Sequence, residues 1–201
     1  MIIGDINDTR GHSLIAELRA LTGNKNLHYL NCNVTSWQSQ VDFFRTAAQL
    51  SPHEGIDAVV ATAGISDHQP TFESPQNFDA PSPPPPNLLC FEVNMVGVLY
   101  TTHLVFFYLP RNTNSTDRTP ASKYLRDHHL LLIGSCASLE PIPGQVQYTV
   151  SNMACWDFSA LRGTGFMNGI RVNMLYPYFI DTPILPTAAR VLLAGRGMGK
   201  L

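Results

Sequence analysis

Charge is scarce in this sequence. Charged residues make up 14% of its 201 positions against 44% hydrophobic, and the formal net charge is −2. Without a cationic surface to neutralise phosphates, neither nucleic acid nor an anionic membrane is expected as a partner. Cysteine is equally sparse. Cys32, Cys90, Cys136 and Cys155 have no paired spacing and lie in or beside apolar runs. That argues against a disulfide framework or a metal site, and for buried thiols in a reducing, cytoplasmic compartment. The opening MIIGDINDTRGH has no basic stretch followed by a long apolar run, so no secretory leader is expected. Long apolar runs are few. Leu88 to Leu109 reaches the length of a membrane span, but Glu92, Asn94 and His103 interrupt it, and a buried or interface helix is the expectation. A chain of 201 residues without internal repeats reads as one domain over 1–201.

What is present is alternation. Met1 to Ile6 reads as a strand, and Asp8 to Leu21 as a helix with Leu14, Ile15, Leu18 and Leu21 at helical spacing. Leu27 to Leu30 is a second strand. Ser36 can cap a helix over Trp37 to Leu50, and Ile56 to Ala61 is a third strand. Strands alternating with helices of this length imply crossover units and a parallel sheet. Ser66 to Asn87 is broken by prolines, with Pro83 to Pro86 consecutive, and reads as a surface loop of polyproline II character. Leu88 to Leu109 follows as a long helix, Asn112 to Lys123 as a polar loop, and Gly169 to Leu175 as a further strand. The glycines at 195, 197 and 199 follow no strand and read as a terminal tail.

The rest of the chain is organised around His129 to Leu161. Leu130 to Ile133 is too short for a globular helix and suits a strand buried on both faces. Gly134 breaks the run, Ser135 to Ser138 are small, and a loop with Pro141, Pro143 and Gly144 leads to a helix from Tyr148. A strand end bearing Ser and a helix start bearing Tyr can meet at the crevice where open α/β sheets bind ligands. Ser135 followed thirteen positions later by Tyr148 resembles the active site of short-chain dehydrogenases/reductases, in particular the fungal hydroxyprostaglandin-dehydrogenase-like members.

That resemblance extends along nearly the whole chain and implies an α/β, Rossmann-like, doubly wound parallel sheet. It assigns Asp5 to the adenosine ribose of NAD, Asn33-Val34 to the adenine, and Thr62-Ala63-Gly64 to the cofactor turn. Asn94 matches the helix asparagine of the active site, and Gln145 faces substrate in similar proteins. Arg171-Val172-Asn173 and Pro177 to Thr182 resemble the run that contacts nicotinamide, so Ile180 and Thr182 join the cofactor set, with Tyr178 in place of a glycine.

The sequence departs from the family in two places. It begins at what matches the second strand, so the first strand and Gly-rich turn are missing from the match; that strand would be central in the order 3-2-1-4-5-6. And where the family reads Tyr-x-x-x-Lys, this chain reads Tyr148-Thr149-Val150-Ser151-Asn152. A tyrosine without a neighbouring cation titrates at about 10, which leaves a hydrogen-bond donor or general acid rather than a base.

The resemblance thus implies an oxidoreductase acting on a secondary-metabolite alcohol or ketone. Tyr148 would be the proton donor, Ser135 the polarising group, Asn94 the support for a water relay, and Asn152 would stand in the lysine position. Two other outcomes follow from the departures. One is a non-redox isomerase, dehydratase or cyclase using Ser135 and Tyr148 as donors. The other is an inactive relative. Helices apolar on more than one face, Leu88 to Leu109 and Tyr148 to Leu161, imply a homo-oligomer.

Overall fold

A computed structural model describes residues 1–52, 54–67, 79–111, 128–158, 169–178, 180, 182 and 184. The tail from Leu185, the polar loop at 112–123, Pro70, Pro75 and the last residues of the expected final helix lie outside them. The elements are β1 (Ile2–Asp5), α1 (Asp8–Thr22), β2 (His28–Asn31), α2 (Trp37–Leu50) and β3 (Ala58–Ala61). A long helix follows in three pieces: α3 (Leu89–Phe91), a π-helical turn (Glu92–Val96) and α4 (Gly97–Tyr108). Then come β4 (His128–Ile133), a 3-10 turn (Cys136–Ser138), α5 (Val146–Phe158) and β5 (Ile170–Leu175). The expected alternation of strand and helix is present, with parallel sheets. The expected α5 starts two residues early, at Val146, because the Pro/Gly loop ends there.

The strands form two hydrogen-bonded sheets, a pair β1-β2 and a trio in the order β3-β4-β5. In the pair, Ile2 sits opposite His28 and Asp5 opposite Asn31, in parallel register. Among the described residues no strand pairs with the second edge of β1 or of β3. β3 accordingly departs from a strand covered on both faces: its residues alternate exposed and half-buried, and Val60 is largely exposed. β4 has no exposed residue, as its unbroken apolar run requires. β5 alternates buried Ile170, Val172 and Met174 with exposed Arg171, Asn173 and Leu175, the pattern of a strand packed on one face.

The chain divides into two compact units, Met1–Val59 with Leu99–Leu130 and Gly165–Arg171, and Val60–Val98 with Leu131–Thr164 and Val172–Leu201. In the first, Asn7 caps α1 by accepting the Arg10 N–H, and Gly23 ends it in the left-handed conformation at φ 68°. Tyr29 packs under the first turn of α1. Any side chain at Gly11 would overlap its ring, and its hydroxyl is shared between the Asp5 carbonyl at 2.7 Å and Asp8 Oδ1 at 2.8 Å. Burial, then the Asp8 carboxylate, push the Tyr29 phenol up to about 12, so it stays a donor. Hydrogen bonds from Asn31 and Tyr29 hold the Asp8 carboxyl below its ordinary value. Ser36 caps α2 as expected. α2 meets α4 through Phe44 and Tyr108, ring centroids 5.5 Å apart, and through buried Gln40, whose Oε1 accepts from Thr101 at 2.8 Å.

In the second unit, β4 and β5 carry Leu132, Val172 and Met174 into a core with Ala137, Cys90 and Cys155. Pro81 to Pro86 are exposed and outside any helix or strand, as the proline spacing requires. By length and composition the helix Leu89–Arg111 could cross a membrane, yet 44% of its most apolar window is already buried within the protein.

Candidate functional site

The second unit holds Asn94, Ser135, Gln145, Tyr148 and Asn152. Ser135 ends β4's exit in extended backbone and caps the 3-10 turn: its Oγ accepts the Ala137 N–H at 3.2 Å. Its own proton meets only the Cys136 sulfur, at 3.8 Å, a weak acceptor. Tyr148 lies in the first turn of α5, half-buried. Its hydroxyl has no hydrogen-bond partner among the described residues. Both hydroxyls therefore keep a proton to donate.

Asn94 sits inside the π-helical turn and is buried. Its amide reads the backbone of Ile65 on both sides, accepting the Ile65 N–H at 2.9 Å and donating to the Ile65 carbonyl at 2.8 Å. Its second amide proton faces Ser151 Oγ at 3.3 Å and Cys90 Sγ at 3.5 Å. Its backbone carbonyl accepts from Cys155 Sγ at 3.3 Å. Burial pushes the Cys90 and Cys155 thiols up to about 11, so both remain protonated and inert around it. The extra residue of the π turn is what swings Asn94 toward the loop after β3, and such turns recur at functional sites. This hub was not legible in the sequence, because nothing in local spacing announces a π turn.

Asn152 follows Tyr148 by one helical turn, as expected, but it reaches no further than its own helix. Its Nδ2 donates to the Tyr148 carbonyl at 2.9 Å, and the residue is buried. Fully buried Ser151 donates to the same carbonyl at 2.9 Å. Gln145 is likewise engaged. Its amide accepts the Asp67 N–H at 3.1 Å and donates to the Asp67 carbonyl at 3.0 Å. Asp67 returns the contact by placing Oδ2 3.4 Å from the Gln147 N–H, where a carboxylate suits the helix N-terminus. Sequence reasoning missed Asp67, because it lies seventy-eight residues from Gln145 and no local pattern joins it to the start of α5.

Of the expected cofactor residues, Thr62, Ala63 and Gly64 follow β3 and are exposed. Gly64 has room, since an added Cβ would meet only Asn94 Oδ1, at 3.6 Å. Ile180 is exposed and Thr182 half-buried. Asp5, Asn33 and Val34 belong to the first unit. Asp5 Oδ1 accepts the Asn7 N–H at 2.8 Å. Asn33 Oδ1 accepts from the Thr35 N–H and Oγ1, at 3.0 and 2.9 Å, and the Val34 carbonyl accepts from Gln40 at 2.7 Å. Each of these is a turn-forming contact. Among the described residues no cluster of three or more metal-ligating side chains exists.

The family profile described as short chain dehydrogenase matches residues 1–190. This chain belongs to the short-chain dehydrogenase family. It is 30% identical over 178 residues to 5'-hydroxyaverantin dehydrogenase of Dothistroma septosporum, covering 85% of this chain and 56% of that protein. To 5'-hydroxyaverantin dehydrogenase of Emericella nidulans it is 31% identical over 180 residues, covering 85% and 57%. The chain thus spans rather more than half the length of the curated relatives it matches. Among solved structures, a 3-oxoacyl-[acyl-carrier protein] reductase from Brucella melitensis in complex with NAD superposes at a TM-score of 0.69 and 22% identity, covering 98% of this chain and 68% of that one. An alcohol dehydrogenase from Thermococcus sibiricus complexed with 5-hydroxy-NADP superposes at 0.68 and 20% identity, covering 90% and 66%. These structures share the Rossmann fold with this short-chain dehydrogenase.

Asn94→Ala would remove the partner of the Ile65 N–H, leave the Ile65 carbonyl with only the weak Cys90 thiol donor at 3.6 Å, and open space beneath α5. We expect a loss of about 2–3 kcal/mol. Asn94→Asp, which keeps the acceptor oxygen but not the amide donors, should be destabilised as well. Urea unfolding checks both; midpoints unchanged from the parent would refute the hub.

Proposed function

We propose that this short-chain dehydrogenase binds a small alcohol or ketone of the secondary-metabolite kind and polarises its oxygen with Ser135 and Tyr148. One observation carries the reading: both hydroxyls keep a donatable proton, Ser135 facing only a thiol sulfur and Tyr148 facing no acceptor among the described residues. Two O–H donors aimed at one oxygen stabilise negative charge as it develops there, and a protonated phenol can then pass its proton to the nascent alkoxide. The similarity to fungal proteins named 5'-hydroxyaverantin dehydrogenase supports a secondary-metabolite substrate.

The family implies a nicotinamide cofactor, and NAD is the form that Asp5 would favour. The residues present do not fit a tightly held dinucleotide. Asn152 supplies no cation where the family has lysine and donates its Nδ2 to the Tyr148 carbonyl, while Asp5 Oδ1 and Asn33 Oδ1 already accept from turn N–H groups. The same observation at Asn152 favours a second reading, non-redox chemistry in which the two donors promote isomerisation, dehydration or cyclisation. We expect NAD(H) to bind the purified 201-residue chain too weakly to register in calorimetric titration. Micromolar binding would sink this and restore the redox reading.

The same reading makes the protein a cytoplasmic homo-oligomer. Val146, Val150, Met153 and Trp156 form one stripe along α5, each between 37% and 45% exposed, and the last three border a hollow of about 470 Å³. A second copy would cover that stripe, which is otherwise a standing apolar patch. Sedimentation velocity at tens of micromolar should give a dimer or larger species; a stable, dispersed monomer would refute it.

A further inference from the structure

Ser138 follows β4 by five residues and is buried with its hydroxyl between two elements. It donates to the Asn152 carbonyl at 2.9 Å and accepts the Ser135 N–H at 3.4 Å. The first contact fixes it to α5 one turn beyond Tyr148; the second fixes it to the residue whose hydroxyl caps the 3-10 turn. A continuous chain therefore runs from the Ser135 amide through the Ser138 hydroxyl to the Asn152 carbonyl, and along α5 to Tyr148. Gly134 makes room for it. A Cβ there would stand 3.0 Å from Ser138 Oγ and would overlap the Met174 methyl. The contact is long-range, spanning fourteen residues, and it is the direct side-chain link between the Ser135 turn and α5 among the hydrogen bonds described.

We propose that Ser138 is a positioning residue that sets the reach of Ser135 relative to Tyr148, and so governs how well the two hydroxyls share one substrate oxygen. This rests on the reading of Ser135 and Tyr148 as a polarising pair. Ser138 touches no substrate atom in that scheme. It acts by holding the strand exit against the helix, and two donors converge on one oxygen only within a few tenths of an ångström. A merely structural hydroxyl would cost stability when removed but leave the pair's affinity for a carbonyl unchanged.

The test uses the full chain with ¹³Cζ-labelled tyrosine, Tyr148 being identified by the resonance lost in Tyr148→Phe, and cyclopentanone as an uncharged ketone probe. In the parent chain the Tyr148 resonance should move as the phenol donates to the ketone. In Ser138→Ala the midpoint of that titration should rise about fivefold or more, the effect of one hydrogen bond. Ser138→Thr, which keeps the hydroxyl, should return it to within about twofold. Leu132→Val, a buried change in β4 that lowers stability without touching the link, should leave the midpoint where it was. A Ser138→Ala midpoint equal to the parent's, or one matched by Leu132→Val, would overturn the inference while leaving the polarising pair intact. A parent chain whose Tyr148 resonance ignores the ketone would instead bring down the reading of the pair, and the inference with it.

Discussion

The second unit depends on the grip of Asn94 on the backbone of Ile65. A primary amide presents one acceptor and one donor in the geometry of a peptide group, so it can pair with a strand-like backbone as another strand would. Here that pairing substitutes for a ladder partner at the point where β3 runs out and the chain must turn. The same residue presents its carbonyl to Cys155 and its second amide proton to Ser151, both on α5. One side chain thus ties the exit of β3, the π turn and the helix bearing Tyr148. Water would compete for each of these bonds if they were exposed. Burial of Asn94, Ser151, Cys90 and Cys155 removes that competition and makes any unmet group costly.

Around that hub the donors of the site divide into two classes. Gln145, Ser138, Ser151 and Asn152 spend their polar atoms on backbone: the loop at Asp67, the α5 carbonyl at 152, and the carbonyl of Tyr148. Ser135 accepts one backbone N–H, from Ala137, but gives its proton to no backbone group, and the Tyr148 hydroxyl bonds to none of the described residues. The contrast gives the site its chemical character: a rigid polar frame holding two hydroxyls that still have protons to give. A lysine at position 152 would bring a charge on a long stem, able to leave the helix. The shorter asparagine amide folds back one turn and closes on the helix instead, so the frame gains a hydrogen bond and the phenol loses its cation.

Much of the fold was legible because the signals were local. The apolar run at Leu130 to Ile133 and the cap at Ser36 each have one favourable conformation, and the structure adopts it; the proline run at 83–86 stays outside helix and strand. The spacing of Ser135 and Tyr148 carried the family. Three things were not legible. The π turn depends on contacts between Asn94, Ile65 and α5, which are distant in sequence. Gln145 faces substrate in the proteins the sequence resembles, and its bonds to the backbone of Asp67, seventy-eight residues away, are a contact no local pattern announces. And the division of the strands into a pair and a trio is a property of pairing, which no single strand's composition encodes.

The central claim is that position 152 shares a helix face with the Tyr148 phenol, and that the phenol acts as a donor because no cation stands there. Replacing Asn152 with lysine tests it directly. Ionisation of Tyr148 would be followed by ultraviolet difference titration of Asn152→Lys against the same variant carrying Tyr148→Phe. A positive charge one turn away favours phenolate, so ionisation in the variant should move to lower pH than in the parent chain. A titration that does not move would mean that residue 152 and the Tyr148 hydroxyl do not share a site.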